Sequence, residues 1–170
     1  VTNGVYQLRG FDMANMSIIV GDTGWIVVDP LTSKESARAA LEFAQQHLEA
    51  KPVVAVIYTH SHVDHFGGVL GVVSEASVRS GKVKIIAPSG FMAEATGENV
   101  IAGTAMGRRA MYMYGSQLAR AERGHVDSGL GKAPVLGTVG ILEPTDIVDS
   151  TPQRMKIDGV PFVFQNVPGS

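Results

Sequence analysis

An almost unbroken apolar run at residues 53–58 constrains the fold of this chain more than any other feature. The run reads VVAVIY and lacks the polar alternation of a strand with one solvent-facing side. Such a run is typical of a central strand in a sheet that is covered on both faces. We therefore predict layers on both sides of this strand, with a polar loop that begins directly after it.

Shorter strands and a capped helix surround the central strand in the sequence. Ser33 predicts a helix N-cap, because apolar residues follow it at helical spacing at positions 37, 40, 41, 44 and 48. The Asp158-Gly159 pair predicts the turn of a hairpin within 153–167. The other predicted strands are 5–9, 16–20, 25–29 and 83–87, the other predicted helices are 66–80, 89–95 and 98–119, and 121–138 is predicted to be a loop. This mixed order predicts an α/β class with a mixed sheet.

Composition limits the kind of protein that this chain could be. Its 170 residues, 45% of them hydrophobic and 18% charged, suit one globular domain. A net charge of −2 gives no reason to expect nucleic acid as a partner, and no apolar run approaches the roughly 20 residues of a membrane span. The absence of cysteine excludes disulfides and thiolate metal ligands. We interpret the sequence as part of a longer polypeptide, since it starts at Val1 and stops soon after a predicted strand.

The ten residues after the apolar run, THSHVDHFGG, place three imidazoles and one carboxylate within six positions. These are the ligand types that zinc prefers when no thiolate is present. Residues His60 and His62 would share one side of an extended segment and could bind one ion. Asp64 and His65 follow where the chain turns towards a helix, and they could bind a second ion. We therefore predict a dinuclear metal site here, rather than a solvated loop with incidental histidines.

Other polar residues leave alternatives open. Asp29 ends a predicted strand before Pro30, and it could either orient a ligand histidine or serve only as a turn residue. Arg108 and Arg109 could hold an anionic substrate, although a solvated helix face is the simpler interpretation. We predict no function for His47 and His125, and core positions for Met106, Met111 and Met113.

The His-Ser-His-Val-Asp-His motif at 60–65 resembles the hallmark of the metallo-β-lactamase-fold superfamily. Segments across nearly the whole chain resemble one subgroup, the zinc-dependent alkyl sulfatases. These segments are 5–12, 21–31, 61–69, 85–88, 98–103 and 105–109. The resemblance implies a metallo-β-lactamase-like αββα sandwich, here an incomplete N-terminal portion with a mixed sheet. Residues 1–170 would be part of a catalytic domain, without the family's dimerisation and sterol-carrier-like domains.

The resemblance also implies a site and an activity. His60 and His62 would bind one zinc, Asp64 and His65 the other, and Asp29 would orient a ligand histidine. Asp64 would also be the catalytic carboxylate. Metal-activated water would hydrolyse alkyl sulfates such as dodecyl sulfate to alcohol and sulfate, with the alkyl tail in a hydrophobic groove. The parent protein would be a homodimer that is periplasmic or secreted.

The resemblance further implies that the metal site is shared with later sequence. Two glutamates and a histidine would complete it after residue 170, so we expect the isolated chain to bind zinc weakly and to be nearly inactive. Two other interpretations remain. The protein could be another hydrolase of the same fold, acting on lactones, thioesters or β-lactams, or a fragment that works only with its missing half.

Overall fold

A six-stranded mixed sheet forms the centre of the computed structural model, which describes residues 1–128 and 135–167. Its strands lie in chain order: β1 (Val5–Leu8), β2 (Met16–Val20), β3 (Trp25–Val28), β4 (Val53–Ile57), β5 (Lys84–Pro88) and β6 (Asp146–Val148). Strands β1 to β3 pair antiparallel, and β3 to β6 pair parallel. A separate antiparallel hairpin consists of β7 (Gln153–Ile157) and β8 (Val160–Phe164). The predicted mixed sheet is confirmed.

Helices and the hairpin cover opposite faces of this sheet. The helices are α1 (Lys34–His47), α2 (Val69–Val72), α3 (Glu75–Arg79), α4 (Phe91–Thr96) and α5 (Gly103–Tyr114). Val56 of β4 belongs to a core cluster with α1 and α2, whereas Ala55 and Ile57 pack in a second cluster with the hairpin. Both faces of β4 are therefore covered, as its apolar sequence predicts. Within the described residues no helix has the length and apolar character needed to span a membrane.

The start of α1 follows the predicted cap. The Ser33 hydroxyl accepts a hydrogen bond from the Ser36 backbone N–H at 3.1 Å, and the Ser36 hydroxyl in turn accepts from the Ser33 backbone N–H. The buried carboxylate of Asp12 then accepts from the Ser36 hydroxyl at 3.1 Å and from the Thr32 N–H at 2.9 Å. This network fixes the loop between β3 and α1 against the helix.

Two predicted helices are interrupted. The predicted helix 66–80 is wrong, because the chain is extended at Val73 and Ser74 caps the separate helix α3 through its side chain. The predicted helix 98–119 begins instead as a π-helical turn, Gly97–Ile101, and ends where Gly115 adopts a left-handed conformation. Serine competes for backbone hydrogen bonds and glycine reaches positive φ without strain, so both act as breaks.

Other corrections concern burial and a missed strand. Met106, Met111 and Met113 are 38%, 37% and 65% exposed on α5, so their predicted core placement is wrong. β6, only three residues long, was not predicted. The predicted loop at 121–138 has no helix or strand over 121–128 and 135–138, and its remainder lies outside the described residues.

The predicted hairpin turn is confirmed, and it ties the two sheets together. Asp158 and Gly159 have φ values of 42° and 83°, as a tight hairpin turn requires. The Asp158 carboxylate accepts hydrogen bonds from the backbone N–H groups of Thr23 and Gly24 at 2.9 and 2.8 Å. These residues form the turn between β2 and β3, so the hairpin is anchored to that end of the central sheet.

Candidate metal centre

The histidine motif lies where two parallel strands end together. It begins directly after β4 and continues through a 3-10 turn, Val63–His65. Asp29 directly follows β3, the parallel neighbour of β4. Open α/β sheets place ligand sites at this carboxyl edge, and Asp29 is thereby brought beside the motif although about 30 residues separate them in sequence.

Asp29 joins the ends of both strands to His65. One carboxylate oxygen of Asp29, Oδ2, lies 2.8 Å from His65 Nδ1 and also accepts a hydrogen bond from the Thr59 hydroxyl at 2.8 Å. The other, Oδ1, accepts the Thr59 backbone N–H at 2.9 Å. Asp29 itself has a φ of 56°, a left-handed conformation that aspartate tolerates better than most residues. The structure thus pairs Asp29 with Nδ1 of His65. The other ring nitrogen of His65, Nε2, lies 3.4 Å from Asp64 Oδ2.

Thr59 extends the same network to His60. Its Oγ1 lies 2.9 Å from His60 Nδ1, and because this hydroxyl donates its proton to Asp29, it accepts one from the imidazole. His60 Nδ1 is therefore the protonated nitrogen, and its Nε2 carries the lone pair. The Asp29 carboxylate can only accept a hydrogen bond, so His65 Nδ1 must donate to it. When the His65 ring is neutral, its proton is therefore on Nδ1 and its lone pair on Nε2. Thr59 and Asp29 together set the tautomers of two predicted ligands.

The imidazole rings are packed closely. The centroid of the His60 ring is 4.1 Å from that of His65 and 4.6 Å from that of His62. His62 is the most open of the motif's described ligand candidates, with 58% of its side chain exposed, and its Nε2 lies 3.4 Å from Glu98 Oε1. A cleft of about 390 Å³ lies beside His62 and Asp64 and is bounded by α5. The motif therefore borders a space that a small molecule could enter.

The charges within the cluster shift its protonation equilibria. Burial lowers the pKa of His60, and the neighbouring His65 and His62 lower it further. Burial alone would lower the pKa of His65, but hydrogen bonds to Asp29 and Asp64 outweigh it and raise that pKa to about 9. Burial would raise the pKa of Asp64, but its contacts with His65 hold it below the usual range. Asp64 is therefore a carboxylate at neutral pH.

The donor chemistry fits zinc, but the described donor set is incomplete. Among residues 1–128 and 135–167, no group of three or more His, Asp or Glu side chains is arranged to hold one metal ion. The imidazole lone pairs and the ionised Asp64 are nevertheless zinc ligand types, and two of the imidazoles are preoriented by Thr59 and Asp29. Zinc normally takes three or four protein ligands. That other residues complete the site stays a prediction.

Sequence reasoning overlooked two residues at this site. Thr59 and Glu98 contact predicted ligands but were not singled out. Thr59 could have been noticed from its place directly before the motif, whereas nothing in the sequence places Glu98 near it. His125 lies in a loop as predicted, but it is buried, and its Nε2 has no hydrogen-bond partner among the described residues. Arg108 and Arg109 are exposed on α5.

Comparison with known proteins assigns the family. The Metallo-beta-lactamase superfamily profile matches residues 9–150, and this chain belongs to that superfamily. A linear primary-alkylsulfatase from Pseudomonas sp is 54% identical over 170 residues, which are 100% of this chain and 25% of that protein. An (R)-specific secondary-alkylsulfatase from Pseudomonas sp is 48% identical over 167 residues, covering 98% of this chain and 25% of that protein.

A solved structure agrees with these relatives. The stereoselective inverting sec-alkylsulfatase Pisa1 from Pseudomonas sp. superposes with a TM-score of 0.92 at 48% identity, over 97% of this chain and 26% of that one. The predicted metallo-β-lactamase fold and the resemblance to alkyl sulfatases are confirmed. The chain spans about a quarter of the length of these relatives.

The pKa of His65 gives a testable pH dependence in the metal-free chain. We expect its ring to titrate near pH 9 by NMR, well above the ordinary histidine value of about 6.5. Since the folded state binds this proton more tightly than the unfolded state, the resulting stabilisation is fully present below pH 6.5 and is lost as the pH rises through about 9. Urea unfolding across this range measures it, and His65→Gln should remove that part of the dependence. A midpoint near 6.5 would contradict the pairing with Asp29.

Proposed function

We propose that this chain forms part of the active site of a zinc-dependent enzyme that hydrolyses alkyl sulfate esters to alcohol and sulfate. The observation that carries the proposal is the 48–54% identity to alkylsulfatases across essentially all of its residues. The preoriented histidines at the carboxyl edge of the sheet support it. As the chain spans only about a quarter of those relatives, the activity is proposed for a longer polypeptide that contains it.

Each predicted site residue has a proposed task. His60 and His62 would bind one zinc ion, and Asp64 and His65 would bind a second. Bound zinc would supply a Lewis acid that activates water for attack on the ester. Asp29 would hold the proton on His65 Nδ1, which keeps Nε2 available. Asp64, ionised at neutral pH, is the proposed catalytic carboxylate beside the cleft.

Further parts of the proposal rest on the family resemblance. Residues 1–170 would be a partial catalytic domain, and later residues would supply the missing ligands, two glutamates and a histidine. The segment 168–170, after which the first of these ligands is expected, lies outside the described residues. Export to the periplasm or the medium, and a homodimeric parent protein, are proposed on the same basis.

Sulfate release from dodecyl sulfate by the longer polypeptide tests this function. We expect about two zinc ions per chain and release of inorganic sulfate, with both lost when His60 and His62 are replaced by alanine. A thioester, a lactone and a β-lactam should be assayed in parallel. Turnover of one of these without sulfate release would instead support another hydrolase of the fold.

The isolated chain provides a second test of the shared site. We expect it to bind little zinc and to release no sulfate, and we expect activity to return when the missing segment is added in trans. Full zinc occupancy and sulfate release by the isolated 170 residues would show that the site needs no later ligands.

A further inference from the structure

Each histidine of the motif has at least one ring nitrogen beside an oxygen atom of a different residue, and His65 has such a neighbour at both nitrogens. His60 Nδ1 lies 2.9 Å from Thr59 Oγ1, and His65 Nδ1 lies 2.8 Å from Asp29 Oδ2. In His62 the nitrogen involved is the other one, Nε2, and the oxygen is Oε1 of Glu98 at 3.4 Å. His62 therefore has an acidic neighbour, as His65 has in Asp29, but this neighbour comes from a different part of the fold and lies at an ion-pair distance rather than in a hydrogen bond.

The π-helical turn explains how Glu98 reaches the motif. The Ala102 N–H donates to the Gly97 carbonyl at 3.0 Å, five residues back, and this bond defines the wider turn. The Asn99 side chain donates to the Ala95 carbonyl at 2.8 Å and ties the turn to the end of α4. Such turns interrupt helices frequently at functional sites. Here the turn carries Glu98, whose side chain is only 25% exposed, to the side of His62.

We propose that Glu98 is a positioning residue that holds the proton on Nε2 of His62 and leaves Nδ1 as the nitrogen that meets a metal ion. The metal part of this proposal rests on the function proposed above, whereas the tautomer of His62 does not. Carboxylates that accept the second N–H of a ligand histidine fix its ring orientation and make it a better donor. Such a partner matters most for His62. Because its side chain is more than half exposed, packing does little to fix the orientation of the ring.

The ring nitrogens of His62 report the tautomer directly. The chain contains five histidines, so nitrogen-15 labelling of histidine and long-range proton–nitrogen correlation can resolve each ring. In the metal-free chain, at a pH where His62 is neutral, we expect a single tautomer with the proton on Nε2. Glu98→Ala should give a mixture of both tautomers, while Glu98→Gln, which keeps an acceptor oxygen, should stay closer to the original.

Glu42 offers a control. It lies on α1, is exposed, carries the same charge, and lines neither of the clefts beside His62. Glu42→Gln should leave the His62 ring signals unchanged. A proton on Nδ1 of His62 in the unaltered chain, or a His62 tautomer that does not respond to Glu98→Ala, would overturn the proposal. This measurement needs neither zinc nor substrate, so its failure is distinct from a failure of the proposed sulfatase activity.

Zinc affinity in the longer polypeptide is the second readout. Competition with a chelator should show a 10- to 100-fold weaker site in Glu98→Ala, as found when such partners are removed, and partial recovery in Glu98→Gln. Equal losses in the alanine and glutamine variants would overturn the positioning role, because they would indicate that the carboxylate itself binds the ion. Unchanged affinity in Glu98→Ala would overturn it as well.

Discussion

Replacing Asp29 with asparagine is expected to weaken zinc binding by the longer polypeptide by about 10- to 100-fold, and to reduce sulfate release with it. The Asp29 carboxylate accepts hydrogen bonds on both oxygens, from the Thr59 backbone at Oδ1 and from Thr59 and His65 at Oδ2. An asparagine has only one oxygen, and the Thr59 N–H would hold it. The amide NH₂ would then face His65 Nδ1, which must accept rather than donate. The His65 proton would move to Nε2, the nitrogen proposed to bind metal.

Asp12→Asn is the matched control for this substitution. Asp12 is also buried, and its carboxylate also accepts backbone and hydroxyl hydrogen bonds, but from Met13, Thr32 and Ser36. We expect Asp12→Asn to lower the free energy of unfolding and to leave zinc affinity unchanged. Chelator competition and urea unfolding of both variants separate the two effects. Asp29→Asn with unaltered zinc affinity would show that Asp29 acts only as a turn residue, the alternative that the sequence left open.

The parts of the fold that were predicted correctly depend on short-range patterns. The unbroken apolar run marks β4, because a strand buried on both faces has no reason to alternate. Ser33 marks the start of α1, because its hydroxyl satisfies an N–H three residues later in the same chain. Asp158-Gly159 marks a hairpin, because the two residues tolerate positive φ. In each case the interactions lie within a few residues.

The errors arise where local preference competes with distant packing. Ser74 could have continued a helix, but instead caps a new one, and the choice depends on how Val72 and Val73 pack against the core. α5 has an apolar sequence, yet none of its residues is buried. Helical periodicity indicates which residues share a face, but it does not reveal what covers that face.

The candidate site also contains residues that the local sequence indicates and residues whose role depends on distant parts of the chain. Its four predicted ligands stand within six residues and could be named from ligand chemistry alone. The contact of Glu98 with His62 depends on a π-helical turn after the next strand, β5, and sequence spacing carries no sign of it. Asp29 could be suggested from the sequence as a residue that orients a ligand, but its pairing with His65, like the contact of Glu98 with His62, depends on elements that the fold brings together.

Gly68→Ala is expected to destabilise the chain by about 3 kcal/mol, because the added methyl group would have no space. A Cβ atom at Gly68 would overlap the Pro30 carbonyl oxygen and would lie 2.6 Å from the Ser33 carbonyl oxygen and 2.7 Å from the Ala37 Cβ. Two of these neighbours are backbone atoms, which cannot turn aside as a side chain does. The Gly68 N–H also donates to the Leu31 carbonyl at 2.8 Å, so the motif is bound directly to the loop before α1.

Gly107→Ala is the control, because a Cβ atom there meets nothing within 4 Å and the residue lies inside α5. The same substitution should therefore stabilise the chain by about 0.5–1 kcal/mol, as alanine favours helix over glycine. Urea unfolding followed by circular dichroism measures both changes, which should have opposite signs. A Gly68→Ala variant as stable as the unaltered chain would mean that the motif does not approach α1 so closely. The expected loss of stability would instead explain why two glycines follow the histidines. Because Gly68 has no side chain, the loop that carries the predicted ligands can pack against the backbone directly after Asp29.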